Sequence, residues 1–122
     1  MSTFKLTPGS TDARLSARNL DAFQWHFAKH AAGETFDTAG AGEAVAGIIA
    51  EPGDAAGRRT TVIQKGESKL KCGGNVVLGA RLKSDAQGRG VTAAAGELSY
   101  AIADEPGVLG QIIRVRVETV KL

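Results

Sequence analysis

An all-β domain is what this chain predicts: a small single-domain antiparallel β-barrel or β-sandwich, preceded by an extended N-terminal arm. Three observations lead there. The chain repeats itself. Ala39 to Ile63 (AGAGEAVAGIIAEPGDAAGRRTTVI) and Ala93 to Val117 (AAAGELSYAIADEPGVLGQIIRVRV), offset by 54 positions, share eight of the fifteen residues from Ala39 to Gly53. Polar and apolar residues alternate through Ser68 to Cys72 and Ile113 to Val117, the period of a strand with one face in a core and one in water. Finally, 16 glycines and repeated Glu-Pro-Gly turns interrupt the chain, as in folds built from many short strands. Two hairpins that merely share turn chemistry would also account for the repeat. Two copies of one β unit within one domain is the frame adopted.

Taken in order, residues 1–20 (MSTFKLTPGSTDARLSARNL) show no sustained period and are rich in Ser, Thr, Pro and Gly, which reads as a flexible or extended arm. Residues 21–122 form the expected domain. Asp21 to His30 reads two ways. Asp21 with Gln24 resembles a helix capping box, with Leu20 placed to staple onto Trp25, but Phe23, Trp25 and Phe27 alternate with Gln24 and His26 as in a strand. The aromatic content favours the strand, with Thr35 to Thr38 as its hairpin partner. Strands then follow at Ala44 to Ala50, at Arg58 to Gln64 ended by Lys65-Gly66, and at Ser68 to Cys72. Val76 to Leu78 and Arg81 to Lys83 come next, then a loop from Ser84 to Gly90. Val91 to Ala93, Leu98 to Ala103 and Gln111 to Val120 complete the set.

Charge separates the two parts. The formal net charge is +2, and from Asp21 onward twelve Lys/Arg balance twelve Asp/Glu, so the surplus sits on Lys5, Arg14 and Arg18 against Asp12. That is too little for nucleic-acid binding by itself. A single cysteine, Cys72, allows no internal disulfide and suits a reducing compartment. The N-terminal residues carry no apolar run of signal-peptide kind, so the expectation is a protein made in a cytoplasm, with no membrane segment.

Candidate chemistry is sparse. His26 and His30 would share a helix face suited to a metal, but on a strand they stand about 13 Å apart, and the sequence offers no third ligand, so both are expected as solvated. Cys72 beside Gly73-Gly74 reads as a small core residue. Gly40-Ala41-Gly42 with Gly47 lacks the spacing of a phosphate loop and reads as a turn. Arg58, Arg59, Lys65, Lys69, Lys71, Arg81 and Lys83 fall on neighbouring strands, yet no aromatic residue between Val62 and Arg89 is available to stack a base, so a solvated face is expected. Asp104 and Glu105 on a strand-like backbone diverge, poor geometry for shared acid–base work. No catalytic residue, metal set or cofactor is expected.

Several stretches resemble a known family. Gly33-Glu34, Ala41-Gly42-Glu43 to Gly47-Ile48-Ile49, a Pro-Gly turn, Gly57 and the Thr-Thr-Val-Ile strand are similar to the small β-rich head decoration (capsid cement) proteins of tailed bacteriophages. So are Lys71 to Gly88 (KCGGNVVLGARLKSDAQG) and the ending from Gly110 through Ile113 to Val117. The likeness lies in glycine spacing and strand order over about Phe23 to Val117, and the first twenty residues have no counterpart in it. The resemblance implies a non-enzymatic β-barrel on the outer surface of a phage head, often trimeric, that bridges subunits of the major capsid protein. With it, residues Phe4, Lys5, Leu6, Arg14, Leu15 and Arg18 of the arm become candidate contacts to the shell, with no specific nucleic acid and no membrane as partners. A tail or baseplate module and a small cytoplasmic nucleic-acid- or sugar-binding barrel are the other classes this composition suits.

Overall fold

The computed structural model describes residues 10–122. The chain forms nine strands: β1 Ser10–Ser16, β2 Phe27–Ala31, β3 Thr35–Thr38, β4 Gly47–Glu51, β5 Arg59–Lys71, β6 Arg81–Ser84, β7 Gly90–Thr92, β8 Leu98–Ala103 and β9 Ile112–Lys121. The only helical element among the described residues is a single 3-10 turn, Asp21–Phe23. The all-β expectation holds.

The repeat runs deeper than the turn motifs. In the first unit β2 pairs with β3 and β4, and β4 with β5. In the second, β6 pairs with β7 and β8, and β8 with β9. Registers agree residue by residue: Phe27 opposite Ile48 becomes Arg81 opposite Ile102, and Ala28 opposite Thr38 becomes Leu82 opposite Thr92. β1 closes the first unit into a five-stranded barrel by lying antiparallel to β5 and parallel to β3. The far half of β5 does the same for the second unit. Gly66 to Lys71 lies antiparallel to β9, and Cys72 bridges Gly90 in parallel. One long strand therefore belongs to both barrels.

Four expectations need correction. The domain does not start at residue 21: Ser10–Ser16 is a barrel strand, so residues 10–20 are not a free arm. Its pattern was hard to read because, of Thr11–Ser16, only Ser16 is fully buried. Asp21 to His30 is not one strand. The 3-10 turn and a left-handed Trp25 (φ 67°) precede a strand that starts at Phe27. Arg58 to Gln64 and Ser68 to Cys72 are one strand, because Gly66 (φ 93°) is not a turn but the point where β5 leaves one barrel for the other. Val76 to Leu78 is a turn that makes a single bridge, Val76 to Gly107.

The barrel interiors are built from equivalent positions with redistributed volume. Leu20, Ala28, Phe36, Ile49 and Val62 fill the first. In the second, Leu82 stands where the first has Ala28, and Gly90 where it has Phe36. A Cβ on Gly90 would sit 2.5 Å from Leu70 Cδ2, so leucine occupies the space a phenylalanine fills in the first copy. The second core continues into the seam between the barrels, where Phe27 meets Tyr100 edge-on with centroids 6.4 Å apart. The loop after β6 also crosses this seam: the Phe27 amide donates to Gly88 O (2.6 Å) and Ser84 Oγ to Ala39 O (3.3 Å).

Candidate functional site

The expected contact residues of the N-terminus divide. Phe4, Lys5 and Leu6 lie outside the described residues. Arg14 and Leu15 are on β1, and Arg18 follows it. Arg14 Nε is 3.2 Å from Asp12 Oδ2, and its guanidinium carbon lies 5.7 Å from the Phe36 ring centroid. Arg18 Nε donates to Asp37 Oδ1 at 2.8 Å, and the same guanidinium sits 4.8 Å from the Phe23 centroid. Both cations thus already brace the first barrel. Leu15 is left exposed.

A second surface went unrecognised in the sequence. Val77, Leu78, Val108 and Leu109 are each more than half exposed, on two turns that the Val76–Gly107 bridge ties together. They crown one end of the second barrel. The equivalent positions of the first unit are Phe23, Gln24, Asp54 and Ala55, a more polar set. The available signal was this contrast between the copies: apolar residues beside turn glycines in one and polar ones in the other.

A third feature is a groove of about 500 Å³ where β5 crosses between the barrels. Trp25, Ile63 and Val115 give it an apolar side, and Glu67, Ser68, Lys69, Asp104 and Arg114 line the rest. Trp25 is held there at some cost. Its amide donates to Ile49 O and its carbonyl accepts from the Lys71 amide (2.7 and 2.8 Å), and this ladder fixes the left-handed backbone. The second unit makes the matching bond from the Gly79 amide to Ala103 O, with Gly79 at φ 84°. A side chain in this conformation costs roughly 1–2 kcal/mol that glycine avoids.

The titratable groups singled out in the sequence lie apart. His26 is buried, not solvated. Burial pushes its pKa below the ordinary imidazole value, against the Gln24 carbonyl, 3.2 Å from Nδ1, which favours the charged form. His30 is exposed and rests on Phe36. Cys72 faces the core as expected, and burial pushes its thiol up. Glu105 Oε2 accepts from the Arg114 amide at 2.7 Å, while its neighbour Asp104 lines the groove. Arg81 and Lys83 of the basic strands pair with Glu118 and Glu97 (3.7 and 2.8 Å).

No family model matches the chain, and no curated protein gives a significant match. Among solved structures it is similar to the crystal structure of the head fiber gp8.5 N base in bacteriophage phi29. The TM-score is 0.74 at 15% identity, with 93% of this chain and 98% of that chain covered. At this identity the likeness establishes a shared fold, and it spans both barrels.

Proposed function

We propose that the protein is a structural component of a tailed-phage head, a decoration protein that binds the outer surface of the shell and stabilises contacts between major capsid subunits. The observation that carries this reading is the fold, common over nearly the whole length of both chains to the base of a phage head fibre. It agrees with the turn and strand order that resembles head decoration proteins. The action is binding, not catalysis. In support, the Cys72 thiol is buried, which pushes its pKa up, and the adjacent carboxylates Asp104 and Glu105 serve different neighbours. Binding to the assembled shell and not to its precursors would stabilise it by mass action.

On this reading the partner is the major capsid protein, and a homotrimer is the expected assembled form, either in solution or only on the shell. The test is to incubate purified protein with expanded heads, remove unbound protein and image the particles. Regularly spaced density on the outer surface is the expected result. Undecorated heads at saturating protein would sink the proposal, and density confined to a tail would move the protein to another part of the virion.

A further inference from the structure

The groove at the seam of the two barrels lies beside a difference between the two copies. The chain repeats one fold twice, and at equivalent left-handed positions it carries Gly79 in one copy and Trp25 in the other. Strained backbone at a bulky residue persists only where the surrounding structure fixes it, and such positions cluster at functional sites. Trp25 packs against the core at the seam without being enclosed by it: it is only partly buried, and one face looks toward Lys69, whose ammonium lies 5.8 Å from the ring centroid.

The rest of the lining selects a kind of ligand. Glu67, Lys69 and Asp104 enter no ion pair among the described residues. Arg114 keeps only a long contact of 3.8 Å to Glu105. Two carboxylates and two cations sum to zero, so the site has no field to hold a phosphate or another strong anion. A purely apolar ligand would strip water from the carboxylates with nothing returned. What suits an aromatic face ringed by uncommitted hydrogen-bond acceptors and donors is a molecule with an apolar C–H face and a rim of hydroxyls. The volume of about 500 Å³ is in the ordinary range for ligand sites.

We propose that this groove binds a neutral saccharide, with a pyranose face on Trp25, hydroxyls donating to Glu67 and Asp104, and Arg114 donating to ring or hydroxyl oxygens. Lys69, exposed and on a flexible stem, swings off the ring to join them. The proposal is independent of attachment to a phage head and would stand if that reading failed.

Trp25 is the single tryptophan of the chain, so its emission reports on the groove alone. The full-length protein is titrated with cellotetraose, chitotetraose and maltotetraose, and with inorganic phosphate as the anionic comparison. The expected result is a saturable change in emission with at least one oligosaccharide, in the millimolar range, and none with phosphate. Two variants are read by saturation-transfer NMR with the same sugars. Asp104→Asn is expected to weaken binding about tenfold. Trp25→Gly, which restores the residue of the other copy, is expected to abolish binding while keeping a cooperative melt near that of the unaltered protein. No saturable change with any of the three sugars overturns the proposal, as does binding that both variants leave intact. A Trp25→Gly protein that is unfolded would assign the tryptophan to stability, and an unaffected Asp104→Asn would then overturn the site.

Discussion

At the scale of single residues, the duplicated chain carries its own controls. Glu43 and Glu97 each accept from an amide three residues back, Gly40 and Ala94, both at 2.6 Å, and each pairs with a lysine 14 residues earlier, Lys29 and Lys83. The amide of Gly40 and then Lys29 lower the pKa of Glu43, and Lys83 and then the amide of Ala94 lower that of Glu97. A carboxyl held below its unfolded value stabilises the fold above that value, and the contribution fades as pH falls through the lower, folded one. Replacing both by glutamine is therefore expected to lower the urea midpoint at about pH 6 and to leave it much closer to the unaltered protein at about pH 3. An equal difference at both pH values would mean that the turn geometry, and not the charge, matters. Both glutamates were visible in the sequence as matched positions, and their lysines share the same offset. The strain at Trp25 was not legible, because the local alternation of Phe23, Trp25 and Phe27 imitates a strand and nothing local marks a left-handed tryptophan.

At the scale of elements, legibility followed side-chain alternation. β9 was readable because Ile113, Val115 and Val117 are buried and Arg114, Arg116 and Glu118 are not. β1 was not, since its contribution is mainly backbone pairing to β5 and β3. This changes what a truncation would report. Removing residues 2–18 takes out β1, uncovers Phe36 and Val62, both fully buried, and opens the first barrel. A loss of about 3 kcal/mol, or some 10–20 °C in Tm, is expected for that deletion. Removing residues 2–9 spares every described pairing of β1 and is expected to leave Tm within a few degrees. If the longer deletion melted like the full chain, β1 would be dispensable and the barrel closed by other means. The shorter deletion is the proper probe of Phe4, Lys5 and Leu6 as contacts to a shell.

At the scale of the whole molecule, two barrels share β5, the core of the second reaches across the seam to Phe27, Ala39 and Ile48, and the two ends are unlike. That layout was only half legible. The repeat announced two units, but a strand serving both looked like two strands because Gly66 resembles a turn. The ends differ in chemistry: the second barrel is crowned by Val77, Leu78, Val108 and Leu109, where the first has Phe23, Gln24, Asp54 and Ala55. Apolar patches of this kind on a small protein mark contact surfaces. They contribute nothing to the barrel interior, so charging them leaves stability nearly untouched. On the proposed role as a head decoration protein, the apolar end would face the shell and the polar end water. The Leu78→Asp, Leu109→Asp double variant is therefore expected to melt within a few degrees of the unaltered protein and to lose at least about tenfold in affinity for expanded heads, or about 1.4 kcal/mol. Sedimentation of labelled protein with heads measures this directly. Undiminished binding by this variant, combined with loss on removing residues 2–9, would transfer the contact from the barrel end to the N-terminal residues.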